Sequence, residues 1–306
     1  TPGVIAGFSA AARTVCLPGE GVLVQPPVYP PFLTVHERSR LVRQQAPLQS
    51  ITQGYSIRYK VDWDGFRQGI NSGGAHTGMF LLCNPHNPIG QAFTRPDLER
   101  MLHEFSGTEA VICSDEIHAE LLLGKTRHTP VASLVQQPAS RTITLVAPSK
   151  TFNIPGLFCA FAILPDEELR KRYEYTLQKL ALHVNALGLT AARAAYSGDC
   201  DDWLQALRSS LTQSRDYLVK TIQEEFPGMR ITNPDATYLA WLDCRPLIES
   251  GRIQGSAHKF FLHQAHVALN DGAEFGPGGE GFLRLNFGCP RRTLEEALQM
   301  MKAALA

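Results

Sequence analysis

The chain has 306 residues, and its 29 lysines and arginines are balanced by 29 aspartates and glutamates. A chain of this length has room for two domains and buries roughly 75% of its unfolded surface. Because the charges cancel and no basic run occurs, nucleic acid and anionic membranes are excluded as natural partners. No apolar run approaches the roughly 20 residues of a membrane-spanning helix.

The cysteines and the start of the chain indicate a cytoplasmic protein. The seven cysteines are scattered and contain no C-x-x-C pair, which is typical of reduced thiols and argues against a disulfide framework or a zinc site. No spacing of histidines and acidic residues recurs, so we predict no metal. Residues 4–12 are apolar like the core of a signal peptide, but no basic segment precedes them, and we interpret them as part of the fold.

The first predicted elements are a helix over residues 4–15 and a strand over 21–25. Gly3, just before the helix, lets the backbone approach an anion, and the free N–H groups of the first turn point toward it. A phosphate site and an ordinary helix start are both consistent with this pattern. The prolines at 26–32 then fix an extended loop, which presents Tyr29 either for stacking on a flat ring or for packing at the surface.

Further along the chain, residues 40–49 predict another strand, whereas 53–78 show less regularity. The stretch 79–83 is apolar throughout, as expected of a parallel strand that is covered on both faces. A proline-rich turn follows it and fixes the direction of Asn87. Thr94, with Asp97 three residues later, predicts a capped helix.

Two more strands are predicted at 110–113 and 143–146, and each runs into polar residues. The first is followed by Asp115 and the second by Lys150. A lysine held among apolar neighbours loses hydration, which lowers its pKa and frees the neutral amine to form a Schiff base. An ordinary solvated lysine is the alternative for this residue taken alone.

The alternation of short apolar strands and helices predicts an α/β fold with a mostly parallel sheet. Asn87, Asp115 and Lys150 each follow the carboxyl end of a strand, which is where open α/β sheets bind ligands. Coincidence explains three such residues poorly, so we expect them to share one site.

The second half of the chain differs in character. Helical stripes run from Leu169 to Leu180 and from Trp203 to Phe226, and we interpret both as core. Strands are predicted within 229–243 and over 282–287, and Thr293 is predicted to cap a final helix. We therefore expect a large domain over residues 1–198 and a smaller α+β domain over 199–306.

Four ordered motifs give these features a family context. They are NPHNPIG at 84–90, SDEIH at 114–118, SKTFNIPG at 149–156 and RLNFG at 284–288. Together they resemble the fold-type I pyridoxal-phosphate (PLP) enzymes of the aspartate aminotransferase superfamily, class I/II. With PPVYPPF at 26–32 and ATYLAWLD at 236–243, the chain looks most like the cystathionine β-lyase branch of the MalY/PatB type, over essentially its whole length.

The resemblance implies a role for each site residue. Lys150 would bind PLP covalently and later act as the base, and Asp115 would pair with the pyridine nitrogen, whose charge makes the ring an electron sink. The other residues would hold the cofactor or the substrate. Asn87 and His118 would lie near the 3-oxygen of the ring, and Tyr29 would stack on it. The backbone N–H groups of Gly3, Val4 and Ile5 would hold the phosphate, and Ser149 would be a further cofactor-binding residue. Arg284 would clamp the substrate α-carboxylate, with Tyr29 and Asn87 nearby.

The chain also departs from the family pattern. Phe158 stands eight residues after Lys150, where many aminotransferases carry a phosphate-binding arginine, and Ala147 stands where they often carry serine. Members of the family carry a segment before the position of Gly3 that contributes to the small domain, the substrate entrance and the dimer. The given sequence does not contain it.

Three functions remain open at this point. A carbon–sulfur β-lyase of amino-acid metabolism would release a thiol, pyruvate and ammonia from an L-cysteine-derived amino acid. An aminotransferase would share every step up to loss of the Cα proton. A non-catalytic PLP-fold protein used for regulation is the third, and the absent segment and Phe158 are its basis. The resemblance also implies a homodimer.

Overall fold

The computed structural model describes residues 1–134 and 141–306. Twelve strands are present in the described residues: β1 (Gly21–Val24), β2 (Val42–Gln45), β3 (Leu48–Gln53), β4 (Ser56–Val61), β5 (Thr77–Cys83), β6 (Val111–Asp115), β7 (Thr142–Val146), β8 (Phe161–Ile163), β9 (Arg230–Thr232), β10 (Leu239–Asp243), β11 (Asn270–Asp271) and β12 (Phe282–Asn286).

Eleven α-helices in the same residues connect or cover these strands. They are α1 (Val4–Val15), α2 (Pro30–Thr34), α3 (Trp63–Gly69), α4 (Arg95–Glu104), α5 (Pro148–Thr151), α6 (Glu167–Lys179), α7 (Ala186–Ala195), α8 (Asp201–Glu225), α9 (Arg245–Glu249), α10 (Ala257–Gln264) and α11 (Arg291–Leu305). Short 3₁₀ turns lie at Glu37–Ser39, Ser72–Gly74, Val131–Leu134, Pro155–Leu157 and Gly272–Phe275.

The first sheet has the strand order β2-β1-β5-β6-β7-β8. All its neighbours are parallel except β7 and β8, which are antiparallel. Every residue of β5 is buried, as expected for a strand covered on both faces, and Phe8 of α1 packs into the core on one of them. The predicted α/β class with a mostly parallel sheet is confirmed.

The second sheet has the order β11-β12-β10-β9-β4-β3 and is antiparallel except where β4 meets β9. Its strands β3 and β4 correct the expectation that residues 53–78 are irregular. In β4, Ile57, Tyr59 and Val61 are buried and alternate with the exposed Arg58 and Lys60, so the strand has the period of two of a half-buried strand.

The chain enters this second sheet early, through β3. The single strand predicted over residues 40–49 is therefore two strands, β2 and the start of β3, which belong to different sheets. We retain the division into 1–198 and 199–306 as a proposal, with the addition that β3 and β4 of the first part pair into the sheet of the second.

One buried cluster joins the two sheets. Trp241 of β10 is 0% exposed and stacks on Phe282 with ring centroids 5.2 Å apart. Its indole N–H donates to the hydroxyl of Tyr59 at 3.0 Å. The same cluster includes Phe80 of β5, so residues of both sheets share a core that fixes their relative position.

Two predictions about helices are corrected and one is confirmed. Thr94 caps α4 by accepting a hydrogen bond from the Asp97 N–H, as predicted. Thr293 caps nothing, because α11 begins at Arg291 directly after Pro290, and Thr293 lies inside its first turn. Trp203 is 47% exposed and stacks on Phe152, so this residue does not belong to the core as predicted.

No helix in the described part of the chain is both long enough and apolar enough to cross a bilayer. The seven cysteines are all free thiols. Within residues 1–134 and 141–306, no cluster of three or more histidine, cysteine, aspartate or glutamate side chains is placed to hold a metal ion.

Candidate active site

A cavity of about 720 Å³ opens where β5, β6 and β7 end. Strand ends of a parallel sheet meet at one edge, which is why three short motifs far apart in sequence converge here. The residues predicted from the sequence all line this cavity: Gly3, Val4, Ile5, Tyr29, Asn87, Asp115, His118, Ser149, Lys150 and Arg284.

Lys150 lies in α5, a single turn that follows directly from β7 and begins at Pro148. Burial lowers the pKa of its ammonium, and the nearby Arg284 guanidinium lowers it further, while Asp115 acts in the opposite direction. The neutral amine, which is the nucleophilic form, is therefore more accessible than on a solvated lysine.

Asp115 is the last residue of β6 and is 3% exposed. Its carboxylate accepts a hydrogen bond from the Ile117 N–H at 3.1 Å. Burial raises its pKa to about 7, and Glu116 contributes in the same direction, whereas the Ile117 N–H and Lys150 oppose the rise. A buried carboxyl in this condition is suited to a cationic or proton-bearing partner in the cavity.

Glu116, although adjacent to Asp115, is held by other contacts. It accepts hydrogen bonds from the Ser114 hydroxyl at 2.9 Å and the Val131 N–H at 3.1 Å, and its second oxygen lies 2.7 Å from His128 Nε2. These contacts anchor the segment after β6, and they leave Asp115 as the carboxyl that faces the cavity.

Tyr29 and Asn87 come from separate loops that the backbone ties together. The Tyr29 N–H donates to the Asn87 carbonyl at 3.0 Å, and the Asn87 N–H points at the Cys83 sulfur at 3.5 Å. The Asn87 side-chain oxygen accepts from Nη1 of Arg284 at 2.8 Å. The loop of Tyr29, the turn of Asn87 and strand β12 therefore form one wall.

His118 is 4% exposed, and its Nδ1 has no hydrogen-bond partner in the described structure. Its ring meets Tyr238 edge to face, with centroids 6.0 Å apart. Burial lowers the pKa of His118 to about 3, and Lys150 and Arg284 add to this effect. The ring is therefore neutral at pH 7, and an unpartnered buried nitrogen beside the cavity is suited to a polar ligand.

The start of α1 forms the opposite side of the cavity. The first N–H groups of a helix have no partner within the helix, and here those of Val4 and Ile5 stand at the cavity edge. A Cβ on Gly3 would meet no atom within 4 Å, so no neighbouring atom on that side blocks the approach of a ligand to the Gly3 backbone. An anion fits such a position. Phe158, which is 62% exposed, also lines the cavity but offers no charge.

These residues fit PLP by their chemistry. The cavity offers a lysine amine with a lowered pKa, a buried carboxyl that needs a proton or a cation, and a helix start open to a phosphate. Asn87, His118 and Tyr29 supply polar and aromatic contacts for a ring between them.

Two residues that act at the site, Tyr238 and Asn270, were not predicted from the sequence. Tyr238 stands just before β10, lines the cavity and faces Arg284 and Tyr29, and it falls within the quoted ATYLAWLD motif without having been given a role. Asn270 lies outside the cavity lining but contacts Arg284. No local pattern marks Asn270, because its position depends on the pairing of two strands.

Comparison with known proteins agrees with this geometry. The family of aminotransferases of class I and II matches residues 1–301. The chain is 36% identical over 307 residues to cystathionine beta-lyase PatB of Bacillus subtilis, covering 100% of this chain and 77% of PatB. It is 32% identical to protein MalY of Escherichia coli, covering 97% of this chain and 73% of MalY.

A solved structure shows the same arrangement of the backbone. The PLP-bound C-S lyase from Staphylococcus hominis, complexed with the inhibitor L-cycloserine, superposes with a TM-score of 0.91 at 29% identity, covering 100% of this chain and 76% of that one. This chain belongs to the class I and II aminotransferase family. It is an enzyme, and its cofactor is PLP, which sets aside the non-catalytic alternative.

Proposed function

We propose that the protein is a carbon–sulfur β-lyase that acts on an L-amino acid with a thiol leaving group at Cβ, such as cystathionine or a cysteine conjugate. The products would be a thiol, pyruvate and ammonia. The observation that carries the PLP-dependent chemistry of the proposal is the joint placement of Lys150, Asp115 and an Arg284–Asn87 pair around one cavity. The similarity to PatB and to the C-S lyase from Staphylococcus hominis supports this choice.

PLP, when bound, supplies an electron sink for the charge left at Cα. In our proposal Lys150 would hold it covalently, Asp115 would contact its ring nitrogen, and Tyr29 would stack on the ring. Asn87 and His118 would contact its 3-oxygen side. The helix start at Gly3, Val4 and Ile5 would hold the phosphate, and Ser149 would contact the cofactor. This set would bind PLP without an arginine at the position of Phe158.

Arg284 would receive the substrate α-carboxylate in a two-point contact. A charge-assisted hydrogen bond contributes roughly 1.5–3 kcal/mol, and the two-point contact also fixes the rotation of the substrate. The Cα–H bond is thereby held toward Lys150, whose neutral amine accepts the proton. Loss of the thiolate from Cβ follows, since charge at Cα expels a leaving group on the neighbouring carbon.

An aminotransferase is the second candidate, because the matched family carries that name and because the Arg284 contact and the proton transfer to Lys150 serve both reactions. The two functions differ in the fate of the proton and of the thiol. The residues at the cavity are common to both, so the products decide between them.

The decisive experiment is a product assay on the purified protein with PLP. L-cystathionine is supplied alone, and pyruvate and free thiol are followed. In parallel, amino-group exchange with a 2-oxo acid is measured. The proposal expects pyruvate and thiol in equal amounts when no 2-oxo acid is added. Turnover that requires a 2-oxo acid and releases no thiol would establish the aminotransferase instead.

We also propose that the protein is a cytoplasmic homodimer. Apolar side chains are exposed on the edge strand β8 and on α7: Phe161 (38%), Ile163 (50%), Leu187 (72%) and Leu189 (51%). Apolar surface of this kind is suited to a second copy. Sedimentation analysis tests this: the wild type should sediment as a dimer and Leu187→Glu as a monomer, and a monomeric wild type would contradict the proposal.

A further inference from the structure

The position of Arg284 depends on a residue outside the cavity. Asn270 of β11 pairs directly with Arg284 of β12 in the antiparallel register. Its side-chain oxygen accepts hydrogen bonds from Nη2 at 2.8 Å and from Nε at 3.3 Å. We propose that Asn270 is a positioning residue, which orients Arg284 for the substrate carboxylate without neutralising its charge. The proposal rests on the function assigned to Arg284 above.

The described hydrogen bonds of Arg284 use only some of the N–H donors of its guanidinium group. A guanidinium has five N–H donors. Asn270 uses one on Nε and one on Nη2, and Asn87 uses one on Nη1 at 2.8 Å. Within the described contacts, one N–H therefore remains on each terminal nitrogen, which is the number that a carboxylate needs for a bidentate contact.

The charge of Arg284 is also preserved. No carboxylate of the described residues lies within ion-pair distance of it, and Phe275 packs against the guanidinium at 4.9 Å from its ring centroid. Burial lowers its pKa, while Tyr29, Tyr238 and Glu274 act in the opposite direction. Its partners are thus neutral amide oxygens and rings, and the positive charge is available to a ligand.

A second arginine, Arg245 at the start of α9, shows the contrast. Arg245 donates through Nε at 2.8 Å and through Nη2 at 2.9 Å to the two oxygens of Asp243, which is fully buried. The same two nitrogens are used as in Arg284, but the acceptor is a carboxylate, so Arg245 is a paired structural charge. Replacing the side-chain amide of Asn270 by a carboxylate would convert Arg284 to the same kind of paired charge.

This contrast provides a test with a matched pair of variants. Asn270→Asp keeps the size and the acceptor and adds a charge, whereas Asn270→Ala removes the acceptor. If Asn270 only held the loop, Asn270→Asp would bind Arg284 at least as well and would be harmless. If its neutrality matters, Asn270→Asp is the more damaging change, because the added carboxylate competes with the substrate carboxylate.

The measurement is calorimetric binding of 3-(methylthio)propionate, a carboxylate that lacks the amino group and cannot react. The expected Kd rises several-fold in Asn270→Ala and at least tenfold in Asn270→Asp. The amine 2-(methylthio)ethylamine, which lacks the carboxylate, should bind all three proteins equally. Gln264→Glu, which adds the same charge at an exposed position of α10 outside the cavity lining, should bind the carboxylate like the wild type.

If Asn270→Asp binds the carboxylate as tightly as the wild type, or more tightly, the proposal is overturned. Weaker binding of the amine probe by both variants would also overturn it, because it would indicate a general disturbance of the site. The KM for L-cystathionine should follow the same order, with kcat changed less than KM. Failure of the wild type to release pyruvate would refute the lyase function alone, because the binding measurement does not depend on the reaction.

Discussion

At the scale of single residues, the site depends on charges whose surroundings move their pKa values in opposite directions. Lys150 is destabilised as a cation by burial and by Arg284, whereas Asp115 is destabilised as an anion by burial. Two titratable groups adjusted in this way are typical of catalytic sites. The arrangement therefore lowers the pKa of the Lys150 amine and raises that of the Asp115 carboxyl to about 7.

The pKa of Lys150 is directly testable in the cofactor-free protein. We expect its reaction with an acylating reagent, followed by mass spectrometry, to have a midpoint below 10.5. Arg284→Gln removes a cation and should move the midpoint up. Asp115→Asn removes an anion and should move it down. Exposed Lys60 serves as the internal reference in each digest. An identical midpoint for Lys150 in all three proteins would contradict the electrostatic account.

The sequence predicted the site residues that stand in motifs after strands, because strand ends of a parallel sheet converge whatever the rest of the fold does. Asn87, Asp115 and Lys150 were found in this way. Tyr238 and Asn270 were missed, since the role of each depends on contacts across the cavity or between strands. Such contacts follow from register, which the sequence of a two-residue strand like β11 does not specify.

At the scale of secondary structure, the helix termini show where local signals are sufficient. Thr94 and Thr293 both precede an acidic residue at the third position, yet only Thr94 is a cap. Pro290 explains the difference: proline is tolerated at a helix start but not in a helix interior, and as the N-cap it places the first residue of α11, Arg291, two residues before Thr293. Strand β4 was missed although its buried residues alternate with charged ones, which is the local pattern of a half-buried strand.

The two threonines give a matched pair of stability variants. Thr94→Ala should lower the free energy of unfolding by about 1 kcal/mol, because a capping hydrogen bond is lost. Thr293→Ala lies in an exposed helical turn, and alanine is the better helix former, so it should be neutral or raise stability by a few tenths of a kcal/mol. Urea unfolding of both variants checks this, and equal losses would refute the assigned helix starts.

At the scale of the whole molecule, the two sheets are held together by the cluster around Trp241. The sequence showed the strands of both sheets but not that β3 and β4 cross into the second one, because the pairing of β4 with β9 joins residues far apart in the chain. The cavity lies between parts that this shared core fixes in place. Its geometry is therefore a property of the complete fold.

Tyr59→Phe tests that shared core. The change removes the acceptor of the Trp241 indole N–H, which is fully buried. A buried donor left without a partner costs about 1–3 kcal/mol, and we expect a loss in this range by urea unfolding. Tyr55→Phe, on a partly buried tyrosine of the adjoining turn, is the control. No loss in Tyr59→Phe would mean that the indole contact does not stabilise the junction.

A buried histidine makes stability depend on pH. Burial lowers the pKa of His86 to about 4 from an ordinary value of 6.5. Since the folded state resists protonation, this residue's contribution is complete above pH 6.5 and is lost as the pH falls toward 4. Between pH 7.5 and pH 5 the wild type should lose about 2 kcal/mol more than His86→Gln in urea unfolding. Parallel pH profiles of the two proteins would contradict this.

The central claim is that Lys150 carries PLP in this cavity, and borohydride reduction tests it most directly. The protein is mixed with PLP, reduced, digested and analysed by mass spectrometry, beside Lys150→Ala and the exposed-lysine control Lys60→Ala. We predict one major modified peptide, which contains Lys150, in the wild type and in Lys60→Ala, and none in Lys150→Ala. Modification spread over surface lysines, or unchanged labelling in Lys150→Ala, would contradict the account.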